Sequence, residues 1–282
     1  MKAFLSFYKS SLLLFCILLN FSLFAQIKNL YYIDDFKILD SARFEITYKF
    51  EKIPDLTKPD KKETDIQKLL IGHKISKSFS YLLFQNDSVC TILEKQNSET
   101  VPSIPKAASS YEVYKNKITK GLLVTYREDE TVFQYEEEMP VFDWKIQNDR
   151  KTIMTYPCQK AITEFRGRKY VAWFTSAIPI SEGPYKFSGL PGLIIEISDT
   201  QGHYFFSCIS VKMLKPLRAI KNRNWRYTET TREKLNQLLV KKYKNITEYY
   251  NAMGVTFNIM KDGKVIANPK DYRIPYNPIE LE

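Results

Sequence analysis

Residues 183–198, GPYKFSGLPGLIIEIS, constrain this chain more than any other stretch. Gly183-Pro184 opens a loop, Gly189, Leu190, Pro191 and Gly192 close it, and the apolar run Leu193, Ile194 and Ile195 follows at once. Proline has its φ pre-set for the second position of a tight turn, and glycine supplies the positive φ that a type II turn needs next. A strand that begins Leu-Ile-Ile is buried on both faces or lies across a core. The expectation is a rigid corner feeding a central strand, with Gly192 at positive φ in a type II turn.

The neighbouring sequence is patterned for antiparallel strands. Along residues 43–50, Phe44, Ile46, Tyr48 and Phe50 alternate with Arg43, Glu45, Thr47 and Lys49, the period of a half-buried strand. Residues 69–71 and 79–84 read as a second and a third strand, and residues 54–65 and 96–110, rich in Pro, Lys, Asp or Ser, as loops. Short strands at 111–118, 122–127 and 132–138 follow at hairpin spacing. Residues 158–165 and 169–175 pair around Gly167, and 193–198 and 204–211 around 199–202. Residues 230–233, TTRE, have capping-box spacing ahead of Leu235, Leu238, Leu239 and Tyr243, which mark a helix over 231–243. A second short helix at 245–253, a hairpin around Asp262-Gly263 and a proline-rich tail packed on the domain complete the chain. The fold class is mainly β: a curved antiparallel sheet or incomplete barrel of hairpins, with one or two helices near the C-terminus.

The hexapeptide GLPGLI at 189–194 resembles the signature of the GLPGLI family of secreted proteins from Bacteroidetes-type bacteria. Residues 143–146 (DWKI), 156–161 (YPCQKA), 165–168 (FRGR), 171–174 (VAWF) and 276–281 (YNPIEL) extend the resemblance. The family has no established function, so the resemblance implies a compartment and a fold but no substrate.

The start of the chain points the same way. Lys2 and Lys9 precede an apolar stretch at 12–19, and Ala25 ends a plausible signal-peptidase site. The expectation is a signal peptide at 1–25, a single β-rich domain at 26–282, and a periplasmic or secreted product. The competing reading is an uncleaved anchor, for which the apolar run is short. In an oxidising compartment two of Cys90, Cys158 and Cys208 can pair. Cys158 and Cys208 are the favoured couple because both lie in strands near the signature, with three free thiols as the alternative.

The net charge is +10. In an exported bacterial protein that favours anionic envelope surfaces, and nothing in the sequence resembles a nucleic-acid-binding module. Lys212, Lys215, Arg218, Lys221, Arg223 and Arg226 form a basic strip with no acidic residue between Asp199 and Glu229. It is read either as a contact for an anionic surface or as a solvated face. Trp173, Tyr185 and Phe187 are candidates for a ligand platform, against the plainer reading that they fill a core.

Chemistry leaves little trace. The chain has two histidines, His73 and His203, without metal-ligand spacing, no nucleophile elbow and no phosphate-cradling glycine loop. Glu136 and Glu138 share one strand face and read as a solvated edge, and His203 as an exposed turn residue. The expectation is a non-enzymatic protein without cofactor. It is read as a carrier of an apolar or acyl ligand, held in an unfilled hollow near the signature corner. The alternative is an interaction protein associated with outer-membrane transport machinery, whose partner is an outer-membrane protein or an anionic envelope surface.

Overall fold

The computed structural model describes residues 31–98, 107–256, 258–261, 264–267 and 269–282. The signal-peptide reading, most of the 96–110 loop and the Asp262-Gly263 turn lie wholly or partly outside the described residues. The first half of the domain is a meander: β1 (Phe36–Lys52), β2 (Glu63–Gly72), β3 (Ile75–Ser80), helix α1 (Tyr81–Lys95), β4 (Tyr111–Asn116), β5 (Gly121–Glu128) and β6 (Thr131–Glu138). The second half is β7 (Lys145–Ile153), β8 (Tyr156–Phe165), β9 (Arg168–Thr175), β10 (Leu193–Asp199) and β11 (Tyr204–Arg223). After these come β12 (Tyr227–Glu229), helices α2 (Arg232–Lys244) and α3 (Ile246–Ala252), and the small pair β13 (Ile259–Lys261) and β14 (Lys264–Ala267).

Twelve strands form one sheet in the order β12-β6-β5-β4-β3-β2-β1-β11-β10-β9-β8-β7. The two meanders are sewn together by the long antiparallel pairing of β1 with β11, and only β12 joins in parallel, on β6. Chain length forces the sheet to curl. Ten strand spacings of ~4.8 Å separate β6 from β7, about 48 Å if the sheet were flat. Residues 139–144 must bridge that gap, and seven extended residue steps reach roughly 25 Å. The expected curved sheet is therefore formed.

Alternation decides which face of each strand meets the main core. Ile46, Tyr48 and Phe50 of β1 point into the main core with Leu69, Val113, Val124, Ala172, Phe174 and Phe206. The opposite face carries a second, smaller core of Ala42, Leu70, Phe79 and Ile220, with Phe84 of α1 packed on it. Residues 81–84 are thus helical rather than a third strand. The Ser80 side chain accepts from Leu83 N as N-cap, and a helical turn lets Phe84 meet the Phe79 ring at 6.0 Å. A short run of apolar residues fits helix and strand alike, and the cap decides here. The helix after residue 230 starts as expected, although Thr231 rather than Thr230 supplies the cap, accepting from Lys234 N. β11 is longer than the sequence pattern suggests, because its solvated second half follows β1 to its start. No described helix is long and apolar enough to cross a membrane.

Candidate functional site

The signature loop is a plug inside the curled sheet. From Glu182 to Ser188 every residue is buried. Lys115 of β4 is fully enclosed, donating to the carbonyls of Gly183 (2.8 Å) and Phe187 (3.0 Å), with its Nζ 2.7 Å from Glu182 Oε2. The remaining Glu182 oxygen accepts from Ser76 Oγ at 2.5 Å. Burial lowers the pKa of Lys115, and Glu182 works against that fall. The corner itself is packed solid: Leu190 is 1% exposed, and Leu193, Ile194 and Ile195 are 0% exposed. Tyr48 donates to the Ile194 carbonyl (2.7 Å), and Trp144 to that of Ser188 (2.8 Å).

The turn differs from the type II expectation. Gly192 N donates to Leu190 O at 2.8 Å, a bond spanning a single residue, Pro191, and the Gly192 φ of 158° is far from the +80° of that turn. Glycine is still needed there, for its positive φ and for a second reason. A Cβ on Gly192 would lie 2.1 Å from the Thr175 carbonyl oxygen.

Two further sequence readings are corrected. Trp173, Tyr185 and Phe187 do not form one platform. Tyr185 and Phe187 sit in the core, their rings 6.1 Å apart, with Phe187 also against Tyr170 and Phe142. Trp173 alternates with the inward Ala172 and Phe174, faces outward, and carries Lys151 over its ring at 4.4 Å. Cys158 and Cys208 are buried free thiols, not a disulfide, and Cys90 is free as well. β9 and β10 lie between their strands, which puts about 14 Å of sheet between them, against a disulfide reach of ~7 Å between Cα atoms.

The basic strip is also divided. Arg223 is buried and donates to the Ile33 carbonyl, Lys221 lies 3.6 Å over the Phe36 ring, and Arg218 pairs with Glu45. Lys212, Lys215 and Arg226 are exposed, with Arg226 beyond the end of β11. His203, expected to be bland, is half-buried against Arg168 Nη1 (3.2 Å).

The hollow lies beside the plug rather than at its GLPGLI end. A partly open cavity of about 210 Å³ lies between the sheet, α2 and the C-terminal tail. Tyr111, Tyr126, Tyr135 and Tyr204 line it from the strands and Tyr185 from the plug. Leu235, Leu239 and Tyr243 of α2 face them, and Tyr276, Asn277 and Glu280 of the tail close the side. Arg168, 4% exposed, straps the tail in place: it reaches Asp199 (2.9 Å), Asn277 Oδ1 (2.5 Å) and the Pro278 carbonyl (2.6 Å). Tyr170 donates to the Ile279 carbonyl at 3.1 Å.

A charge cluster borders this cavity. Lys186 of the plug, 0% exposed, has Glu137 Oε1 at 2.5 Å, Glu280 Oε1 at 2.6 Å and the Tyr135 hydroxyl at 3.2 Å. Tyr185 donates to Glu280 at 2.6 Å, and Arg166 and Arg232 flank both carboxylates. Burial works to lower the pKa of Lys186, but Tyr135, Glu280 and Glu137 outweigh it and raise the value. Burial pushes the Tyr135 phenol up to about 12, so the site is fully protonated on its hydroxyls at neutral pH. Sequence reading missed this cluster. Strand alternation puts Glu137 on the face opposite Glu136 and Glu138, but its inward direction carries no signal without Lys186. The one available hint was a lysine held between two aromatics, Tyr185 and Phe187. Among the described residues there is no group of three or more His, Cys, Asp or Glu side chains able to hold a metal ion.

Residues 162–196 match a family described as a protein of unknown function (Porph_ging). The match is to a Bacteroidetes-associated family and runs over a short stretch, from β8 through the signature loop into β10. No curated protein matches the chain. Among solved structures it is similar to PNGF-II in two crystal forms, at 13% identity and TM-scores of 0.49 and 0.48. The alignments cover 73% of this chain and 34% of that one, so the chain spans about a third of PNGF-II.

Proposed function

We propose that this is an exported, non-enzymatic binding protein of the GLPGLI family that holds a small, ring-sized ligand in the tyrosine-walled cavity. The cavity carries the reading. It is lined by the sheet, the plug, α2 and the tail, and its walls offer aromatic faces beside Asn236, Asn277 and Glu280. Pockets that bind small molecules have this make-up, mostly apolar with a few placed polar groups. At about 210 Å³ it is somewhat larger than the ~150 Å³ cavity that takes up benzene, and much too small for a long acyl chain. The carboxylates beside it are committed to Lys186, Arg166 and Arg232, which favours binding over acid–base chemistry. Export rests on the N-terminal sequence pattern.

Native mass spectrometry of protein purified from its own cell envelope, combined with ligand-observed NMR, tests the reading. Phenol, benzyl alcohol and methyl glucoside serve as ring-sized probes, and a fluorescent long-chain fatty acid as the counter-probe. Leu239→Trp fills the cavity from α2. A ring-sized probe should bind the wild type and lose its signal in the variant, while the fatty acid binds neither. Probes that bind both forms equally, or an absence of any bound species, would overturn it.

A further inference from the structure

The pairing of β1 with β11 is interrupted once on a large scale. Phe44 pairs with Met213 and Ala42 with Arg218, so Arg43 on one strand stands opposite residues 214–217 on the other. Those residues leave the ladder and protrude. Leu214 turns back onto the outer core of Ala42, Leu70, Phe79 and Ile220 and anchors the protrusion. Met213, the last paired residue before the protrusion, and Leu217 within it are 66% and 54% exposed. Large apolar side chains left exposed on and beside a projecting segment, and rimmed by cations, mark a surface that something can cover.

The surrounding charges say what would cover them. Arg43, Lys212 and Lys215 are exposed, and among the described residues none has a carboxylate within ion-pair distance. The nearby carboxylates are already engaged. Glu45 is held by Lys68 and Arg218, and Asp40 accepts from the Lys74 and Ile75 amides. Uncompensated cations around an apolar tip match one kind of surface, in which negative head groups lie directly above hydrocarbon. A protein partner of matching acidity would offer the charge but not, across so small a tip, a continuous apolar layer.

We propose that the β11 protrusion seats this protein on an anionic lipid bilayer, Met213 and Leu217 entering the head-group boundary and Arg43, Lys212 and Lys215 resting on phosphates. This surface is separate from the cavity, and either reading can stand without the other.

Vesicle flotation with 1:1 phosphatidylethanolamine and phosphatidylglycerol, against pure phosphatidylcholine, tests it. The wild-type protein should bind the anionic vesicles at least about tenfold more tightly, and raising the salt to about 0.5 M should release most of it, because the charge contacts are screened. Met213→Ser/Leu217→Ser and Lys212→Gln/Lys215→Gln should each weaken binding about tenfold with unchanged melting, since all four residues are exposed. Lys58→Gln, an exposed change in the β1–β2 loop, should leave binding as it was. Equal binding to both vesicle types, or wild-type binding by both double variants, would overturn the proposal; so would tip-dependent capture by an envelope protein without lipid.

Discussion

Lys115 Nζ and Glu182 Oε2 meet at 2.7 Å in the interior of the curled sheet, one residue fully enclosed and the other 4% exposed. The pair ties the sheet to the plug, because the same ammonium group also donates to the carbonyls of Gly183 and Phe187. Its worth lies in the penalty for breaking it. Removing one partner strands a buried charge, at about 3–5 kcal/mol, whereas replacing both with neutral groups is far milder. Lys115→Met should therefore lose most of the stability of the domain in urea unfolding, and Lys115→Met/Glu182→Gln should recover about half of the loss or more. A double variant no better than the single one would mean that the two carbonyl bonds, not the ion pair, hold the plug.

Asp40 gives the fold a defined acid sensitivity. Its carboxylate accepts from Lys74 N and Ile75 N in the β2–β3 turn and from Ser41 N. Burial works to raise its pKa, but these amide bonds outweigh it and the value falls below the ordinary one. A depressed carboxylate contributes stability that is fully present above its unfolded pKa, near 3.9, and is lost as pH falls through the lower folded value. Asp40→Asn should lower the melting temperature at pH 7 and flatten the loss of stability below about pH 4. Parallel curves for the two proteins through that window would show that the turn does not depend on the charge.

The buried thiols should stay reduced and silent. Burial pushes Cys208 up to about 11 and raises Cys158 as well, so neither is a thiolate at neutral pH. Cys90, half-buried on α1, should react first with a thiol reagent at pH 8, and the other two only after denaturation. A tryptic peptide joining Cys158 to Cys208 in protein purified without reductant would contradict this.

The strands were readable because alternation is a local signal. Phe44 to Phe50 announced their face by period alone, and Gly167 announced its hairpin by turn chemistry. What escaped was set by distance along the chain. Helix α1 hangs on a Ser80 cap and on the Phe79 ring, and residues 81–84 taken alone fit a strand equally well. The cavity escaped for the same reason, since its walls come from residue 50 in β1 to residue 280 in the tail. The charge cluster joins Glu137, Lys186 and Glu280, which no spacing rule connects. The hexapeptide was conspicuous, and its Gly192 marks where the chain must pass close to Thr175.

That close passage makes the sharpest prediction. A type II turn at Pro191-Gly192 would put Gly192 in the left-handed region, where asparagine is the best-tolerated replacement. The observed φ of 158° lies outside that well but is still positive, where side-chain-bearing residues are rarely found, and the Thr175 carbonyl stands 2.1 Å from where a Cβ would sit. Backbone oxygen cannot rotate away as a side chain can, so any Cβ forces β9 and the corner apart. Gly192→Ala and Gly192→Asn should thus be equally damaging, each by about 1–3 kcal/mol or more, the usual range for overpacking a filled interior. Gly183→Ala is the internal comparison. Its Cβ would meet the Ile194 side chain, Cδ1 at 2.7 Å and Cβ at 3.0 Å, rather than backbone, and Gly183 is not at positive φ, so the cost should be smaller. Thermal melts of the three variants decide it. An asparagine variant clearly more stable than the alanine one would restore the left-handed turn and remove the steric account.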